Sequence, residues 1–152
     1  MSRIIAISVS PRRGTKKSPV ARAELVVGYG IEGDAHGGDW HRQVSLLSAE
    51  RMREVGVPSL VGKYGIYAEN IATEGIDWKT IPVGTRVRLG ERAEVEITQI
   101  GKECHAHCEI HKLTGDCIMP REGVFARVTS PGTIQPGDLV VLLDAENRPT
   151  TG

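Results

Sequence analysis

Residues 84–100, GTRVRLGERAEVEITQI, carry the clearest structural pattern in this sequence. Apolar side chains fall on alternate positions on both sides of Gly90-Glu91: Val87, Leu89, Ala93, Val95 and Ile97. Alternation of apolar and polar residues is typical of a half-buried strand, and a short glycine-containing break between two such runs is typical of a hairpin turn. We therefore predict a β-hairpin here.

Other segments also favour strands, because they are short, rich in β-branched residues and bounded by turn-forming residues. The predicted strands cover residues 4–8, 21–27, 42–47, 67–71, 124–128 and 139–143. One helix is predicted over residues 48–55, with Ser48 as its N-cap and Gly56 as its stop. Pro131-Gly132 and Pro136-Gly137 are predicted turns. Many short strands with one or two short helices predict a mainly β fold, a barrel or sandwich rather than βαβ units.

Length and composition limit the class of protein. The chain has 152 residues, which suits one domain over residues 1–152 and allows a core without help from disulfides or metals. Lysine plus arginine and aspartate plus glutamate each number 19, so net charge does not favour binding to nucleic acid or to a membrane surface. The N-terminus lacks the pattern of a signal peptide, and no stretch has membrane-spanning length. We expect a cytoplasmic protein.

The hairpin leads directly into residues 101–121, GKECHAHCEIHKLTGDCIMPR, which contain all three cysteines and three of the five histidines. Thiolates and imidazoles bind transition metals and perform nucleophilic sulfur chemistry at neutral pH. An odd number of cysteines in a cytoplasmic protein favours thiols or metal ligands over structural disulfides. We therefore predict that the chemistry of this protein is located in this segment.

Two kinds of chemistry remain open for this segment from the residues alone. A zinc site would use four ligands whose spacing does not match the usual C-x-x-C pairs: Cys104, Cys108, His111 and Cys117. Alternatively, one cysteine acts as a thiolate toward a sulfur atom or toward a soft metal held in a cofactor. Basic side chains close in sequence would favour the thiolate form: Lys102, His105, His107 and Arg121.

Two polar loops before the hairpin carry further candidates. Residues 28–38, GYGIEGDAHGG, form a glycine-rich loop in which Asp34 and His36 would point to the same side. The loop lacks the G-x-G-x-x-G spacing of a dinucleotide site. An earlier loop, either solvent-exposed or an anion site for a phosphate-bearing ligand, holds four basic residues: Arg12, Arg13, Lys16 and Lys17.

Seven stretches of the chain match one known domain, in the same order. They are GIEGDAHGG at 30–38, RQVSLLS at 42–48, AENI at 68–71, VGTRVRLG at 83–90, AEVEITQIGKECH at 93–105, CIMPREGVFARV at 117–128 and PGTIQPGDLVVLL at 131–143. Together they resemble the MOSC domain, a family named for the C-terminal region of molybdenum cofactor sulfurase. The resemblance implies a mostly β, barrel-like fold and binding of the molybdopterin cofactor with molybdenum or tungsten. It also implies a cysteine that transfers sulfur or ligates the metal.

The resemblance suggests roles for individual residues. Cys104 matches the cysteine of simpler bacterial members, whereas Cys108 is similar to the metal ligand of amidoxime-reducing members. Five residues match positions that line the family's pocket: Asp34, His36, Arg42, Gln43 and Asn70. By our own inference, Arg12 and Arg13 would hold the cofactor phosphate, and Lys102 and Arg121 are further candidate cofactor-binding residues. The candidate catalytic residues are Cys104, Cys108, His105, Asp34 and His36.

Larger sulfurase relatives carry a separate pyridoxal-phosphate domain that makes a cysteine persulfide, and we expect no such domain in this chain. The protein would then receive sulfur from, or present the cofactor to, a partner protein that donates sulfur or is a molybdoenzyme. The main prediction is a cofactor-binding domain that acts in cofactor sulfuration, sulfur carriage or delivery. Two alternatives remain: a small molybdenum-dependent reductase of N-hydroxylated compounds with a separate electron donor, and a structural zinc domain.

Overall fold

The structure is a computed structural model that describes residues 2–12, 16–55, 58–60, 62–101, 122–146 and 148–150. These residues form eleven strands: β1 Arg3–Val9, β2 Ser18–Val20, β3 Ala23–Val26, β4 Gly30–Ile31, β5 Val44–Ser48, β6 Ile71–Glu74, β7 Arg86–Leu89, β8 Ala93–Ile100, β9 Val124–Ser130, β10 Gly132–Ile134 and β11 Val140–Leu143. One α-helix, α1 Ala49–Val55, follows β5, and two single 3-10 turns cover Pro58–Leu60 and Trp78–Thr80. The prediction of a mainly β fold with short helices is confirmed.

Eight of the strands form one sheet in the order β11-β7-β8-β9-β5-β6-β1-β2, and three form a second sheet in the order β10-β3-β4. Within the described residues the large sheet is not a closed barrel. The two sides of the sheet still approach each other, because Arg3 in β1, the strand next to the β2 edge, forms an isolated bridge with Leu139, the residue before β11. The Ile4 amide also donates to the Asp138 carbonyl over 2.8 Å. The sheet therefore curves around a shared core, but no ladder of hydrogen bonds joins β1 to β11 among the described residues.

The predicted hairpin is confirmed as β7 and β8, with Val87 opposite Val95 and Leu89 opposite Ala93. Its alternating apolar side chains all lie in the main core at 0 % exposure: Val87, Leu89, Ala93, Val95 and Ile97. Complete burial of each larger aliphatic side chain contributes about 1.5–3 kcal/mol. On the opposite face, Arg88 and Glu94 form a cross-strand ion pair over 3.5 Å. Since β8 also pairs with β9, the hairpin holds both strands that flank residues 102–121.

The helix begins where the sequence predicted. Ser48 Oγ accepts a hydrogen bond from the Arg51 amide over 3.3 Å, which satisfies one of the free donors in the first turn. The predicted stop at Gly56 lies outside the described residues. No helix in the described part of the chain is long and apolar enough to cross a membrane.

Two local predictions are wrong. Residues 67–70 are not a strand, because β6 begins only at Ile71 and Ala68 has a positive φ of 65°. Pro131-Gly132 is not a turn, because Gly132 begins β10, which pairs with β3. A Cβ at Gly132 would lie only 2.7 Å from the Ala93 amide nitrogen. Glycine is therefore required there for close packing of two strands rather than for a change of direction.

Gly65 holds the segment before β6 against the segment before β2. Its φ is +84°, its carbonyl accepts the Lys17 amide over 2.7 Å, and a Cβ added to it would overlap the Lys17 carbonyl oxygen. Gly62 has the same φ of +84° and nothing within 4 Å of its Cβ position.

We expect Gly62→Ala to lower the free energy of unfolding by roughly 1 kcal/mol, the cost of a left-handed conformation alone. Gly65→Ala should lower it by at least about 3 kcal/mol, because the methyl group would also displace the backbone of Lys17. Urea denaturation of both variants measures the difference. Equal losses would show that the close approach at Gly65 does not constrain the fold.

Candidate functional site

A buried lysine connects the two polar loops that the sequence analysis selected. Lys17 Nζ lies 2.7 Å from Asp34 Oδ1, and both side chains have 0 % exposure. The same amine lies 3.0 Å from His36 Nδ1 and 3.2 Å from Ser10 Oγ. Asp34 and His36 therefore reach one amine, and His36 is the member that keeps part of its side chain, 19 %, in contact with solvent.

The glycine-rich loop is shaped around the Asp34 carboxylate. Asp34 accepts backbone hydrogen bonds from Ser10 over 3.1 Å and from His36 over 3.2 Å. The chain reverses around it at Gly33, which has a φ of +87° that favours glycine. Tyr29 closes the loop by donating its hydroxyl to the Asp34 carbonyl over 2.9 Å. The glycines of this loop thus allow its backbone to surround the Asp34 carboxylate.

A second carboxylate, Glu69, lies in the same buried region. Glu69 accepts the amides of Gly65 over 2.6 Å and Tyr67 over 3.1 Å. Burial raises the pKa of Glu69 to about 7, although these amides and the charge of Lys17 oppose the shift. Burial also lowers the pKa of Lys17 below its ordinary value, and the hydrogen bond to Asp34 opposes that change. The region therefore holds a carboxyl group that titrates near neutral pH.

Aromatic and cationic side chains extend from His36 toward β9. Trp40 donates its indole N–H to the His36 carbonyl over 2.8 Å. The Arg42 guanidinium lies 4.6 Å from the centre of the Trp40 ring and 5.8 Å from that of Phe125, a residue of β9. Arg42 Nε is buried and has no hydrogen-bond partner among the described residues. A buried donor without an acceptor is costly, so this guanidinium is suited to bind an acceptor such as an anion.

The described residues on either side of the cysteine-containing segment are fixed close together. The Gly101 amide donates to the Gly123 carbonyl over 2.8 Å, which closes the base of residues 102–121. Glu122 is anchored to α1 by Arg51 over 3.2 Å and lies 3.5 Å from Lys79 Nζ. Since Phe125 follows Gly123 by two residues, Arg42 lies beside the base of the segment.

Two further predicted pocket residues make structural contacts. Gln43 accepts the Val128 amide over 2.9 Å and donates to the Gly38 carbonyl over 3.0 Å, which fastens the glycine-rich loop to β9. Asn70 accepts from the amide and the hydroxyl of Ser45 and donates to the Ser8 carbonyl over 3.1 Å. Both side chains hold β-strands and loops in register around the buried lysine.

Arg12 is exposed, and its carbonyl accepts the Ser10 hydroxyl over 2.9 Å. Several predicted site residues lie outside the described residues: Arg13, Lys102, Cys104, His105, Cys108, His111, Cys117 and Arg121. Within the part of the chain that is described, no group of three or more His, Cys, Asp or Glu side chains could hold a metal ion.

Sequence reasoning missed three members of the site, Ser10, Trp40 and Glu69, and it placed Lys17 only in a basic loop that is either solvent-exposed or an anion site. Lys17 had been grouped with three other basic residues of a loop, and nothing in the local sequence distinguishes a lysine that turns inward. Glu69 had a usable signal, because it stands beside Asn70 in a stretch with apolar residues on both sides. Charged residues in such a context are often buried with specific partners.

The model of one protein family, described as the MOSC domain, matches residues 32–141, which is more than half of the chain. This chain belongs to the MOSC domain family. The matched range includes Asp34, His36, Arg42, Glu69 and all of residues 102–121, whereas Ser10 and Lys17 precede it. The family is linked in general to binding of the molybdenum cofactor, so the resemblance inferred from sequence motifs is confirmed at that level.

Solved structures show the same fold. YuaD from Bacillus subtilis is 18% identical with a TM-score of 0.74, over 92% of this chain and 94% of that one. YiiM from Geobacillus stearothermophilus is 20% identical with a TM-score of 0.70, over 98% and 80% of the two chains. YiiM from Escherichia coli is 20% identical with a TM-score of 0.64, over 93% and 70%. No curated protein sequence matches this MOSC chain at significant similarity.

The buried Glu69 makes stability depend on pH in a definite direction. Its pKa is about 7 in the folded protein and 4.5 as the reference for the unfolded chain, so between these values the folded state binds more protons. Stability from this group is therefore present below about pH 4.5 and is lost as the pH rises to about 7. The upper limit of the loss is about 3 kcal/mol.

We expect the unfolding free energy of the wild type to fall relative to that of Glu69→Gln as the pH rises from about 4.5 to about 7. Because both proteins share every other titrating group, the difference isolates Glu69. Urea denaturation at several pH values measures it. A difference that moves in favour of the wild type with rising pH would mean that the two amide hydrogen bonds outweigh burial.

Proposed function

We propose that this MOSC protein binds the molybdenum or tungsten cofactor and acts in its sulfuration or delivery, carrying sulfur on Cys104 or Cys108. The observation that carries the proposal is the position of Arg42. Its guanidinium lies between Trp40 and Phe125 at the base of the cysteine-containing segment, with a buried Nε that has no partner among the described residues. Family membership supplies the class of ligand.

The residues present fit a phosphate-bearing cofactor. A guanidinium offers planar, paired N–H donors that match phosphate oxygens, and stacking on aromatic rings keeps it oriented. Trp40 and Phe125 hold Arg42 in this way, and the half-buried Trp40 ring also offers apolar surface to a flat ring system such as a pterin. Arg42 would hold the phosphate of the cofactor, with Arg12, Arg13, Lys102 and Arg121 as the further basic candidates.

The sulfur step belongs to the thiolate. A thiolate of Cys104 or Cys108 attacks the terminal sulfur of a cysteine persulfide on a partner protein. The S–S bond of the donor breaks, the partner leaves as its thiolate, and a persulfide forms on this chain, so electrons and protons balance. When bound, the cofactor would supply a soft metal centre able to take sulfur. The chain's own contribution is to hold the persulfide and the cofactor beside one another.

Asp34 and His36 differ in their exposure to solvent, and we expect different roles for them. Asp34 is fully enclosed and satisfied by Lys17 and two backbone amides, so it would act by orienting its neighbours. His36 is partly exposed and is therefore the member that would contact the cofactor.

We expect the wild type to bind purified molybdenum cofactor and to carry persulfide after incubation with a persulfide donor. Either Cys104→Ser or Cys108→Ser should abolish the persulfide, because a serine hydroxyl cannot hold a second sulfur, and the other variant should retain it. Cofactor binding, metal content and persulfide are measured on the same samples. Turnover of an N-hydroxylated compound with an added electron donor would favour the reductase function. Stoichiometric zinc lost in both variants, without cofactor binding, would contradict the proposal.

Arg42→Met should weaken cofactor binding by at least about tenfold, since a hydrogen bond to a charged group contributes about 1.5–3 kcal/mol. Methionine keeps an apolar stem between Trp40 and Phe125. Arg53→Met is the matched control, because Arg53 is exposed in the last turn of α1. Thermal unfolding of both variants checks that the fold is retained. Equal binding by the two variants would remove Arg42 from the cofactor site.

A further inference from the structure

The alternating pattern of β8 ends at Ile97, and a β-bulge follows it. The register of β8 against β9 shifts between Ile97 and Gln99, so Thr98 is an extra residue on β8. The burial pattern changes at the same point, because Ile97 is fully buried whereas Thr98 and Gln99 are both half-buried. Bulges redirect side chains and are common beside active sites. The contacts of Thr98 therefore bear on the candidate site.

The Thr98 hydroxyl joins the loop that precedes β5 to β9. It donates to the His41 carbonyl and, over 3.2 Å, to the Phe125 carbonyl. A hydroxyl has a single hydrogen, so the two carbonyls share it. His41 is the residue before Arg42, and Phe125 carries one of the two rings that face the Arg42 guanidinium. One hydroxyl therefore links the backbone beside the arginine to the backbone beneath its ring.

Side-chain contacts hold this loop on both sides of Arg42. Before the arginine, His41 Nε2 lies 2.9 Å from Gln99 Oε1, and Gln99 donates through Nε2 to the Gly101 carbonyl over 2.7 Å. After the arginine, Gln43 accepts a backbone amide of β9 over 2.9 Å. The backbone of Arg42 is therefore tied to β8 by the residue before it and to β9 by the residue after it.

We infer that Thr98 is a positioning residue, which holds the Arg42 guanidinium in the orientation that binds the phosphate of the cofactor. The inference rests on the proposed function and adds the element that orients Arg42. Because Arg42 Nε has no hydrogen-bond partner among the described residues, the rings of Trp40 and Phe125 orient the guanidinium. The separation of the two rings depends on where the loop lies against β9, which Thr98 fixes. Thr98 needs no contact with the ligand, because it acts through Arg42.

The orientation of Arg42 is measured without ligand, by NMR of the arginine Nε–H groups. Arg42→Met identifies the signal by its loss. We expect the wild-type signal to be shifted upfield by the ring currents of Trp40 and Phe125. Thr98→Val removes the hydroxyl but keeps the β-branched shape, and it should reduce this shift, whereas Thr98→Ser should retain it. An unchanged Arg42 signal in Thr98→Val would overturn the inference.

Two further variants separate the hydroxyl from general disturbance of the fold. Thr98→Ala removes the hydroxyl without placing a methyl group against the His41 carbonyl, and it should reduce the Arg42 shift as Thr98→Val does. Thr80→Val is the matched control, because it removes a hydroxyl bond of the same kind, to the Asp77 carbonyl over 2.7 Å. The control should leave the Arg42 signal unchanged. Thermal unfolding of each variant checks that the fold is retained.

Binding of purified molybdenum cofactor tests whether Thr98 acts through Arg42. Thr98→Val should weaken binding by about threefold to tenfold, the range expected for the loss of one neutral hydrogen bond. In the Arg42→Met background the same substitution should have no further effect, because the group that Thr98 positions is gone. Unchanged affinity, or equal losses in the two backgrounds, would overturn the inference. No binding by the wild type would instead overturn the proposed function, and the Arg42 signal is measured without cofactor, so the two failures are distinguishable.

Discussion

The fold encloses the Lys17 ammonium and the Asp34 carboxylate together, at 0 % exposure for both side chains. Removal of either partner alone would leave an uncompensated charge inside the protein, at a cost of about 3–5 kcal/mol. The segments that surround the pair must therefore stay in place: Ser10, which follows β1, the residues before β2, and the glycine-rich loop. The segment before β6 is the fourth, because the Gly65 carbonyl accepts the Lys17 amide. The arrangement of the N-terminal half follows from the need to surround this pair completely.

Charge around the pair is arranged in two layers that differ in access to water. The inner layer contains Lys17, Asp34 and Glu69, and burial raises the pKa of Glu69 to about 7. The outer layer begins at His36 and continues through Trp40 to the guanidinium of Arg42. Lys17 and Asp34 form an ion pair, whereas Arg42 Nε in the outer layer has no hydrogen-bond partner among the described residues. An anionic ligand would therefore complete the outer layer and leave the inner one unchanged.

Much of the fold could be read from the sequence because the responsible interactions are local. The alternating apolar residues from Val87 to Ile97 and the cap at Ser48 act within a few positions of the chain. The strand predicted over residues 67–70 failed because a side-chain contact that apolar periodicity does not encode overrode the strand preference. The amides of Gly65 and Tyr67 bind the Glu69 carboxylate, so they are unavailable to a strand ladder.

The candidate site could likewise be predicted from the sequence only in part. Asp34 and His36 stand out in a glycine-rich loop and do meet, but they meet at Lys17, a residue that lies 17 positions from its ion-pair partner and resembles its exposed neighbours in sequence. Its burial depends on β1, β2 and the segment before β6 assembling around it. A contact formed by four separated segments leaves no periodic pattern, so single-sequence reasoning had no signal for it.

The hydrogen bond between Gly101 and Gly123 has a consequence for how this scaffold can vary. The enclosed segment begins and ends at one point of the sheet, so its length is not set by the distance between β8 and β9. The entropic cost of closing a loop rises slowly, by about 0.6 kcal/mol for each doubling of its length. A change in the number of residues between Gly101 and Gly123 would therefore change this closure term little. The hydrogen bond fixes where residues 102–121 leave and rejoin the sheet, which makes this a natural position for segments of different length.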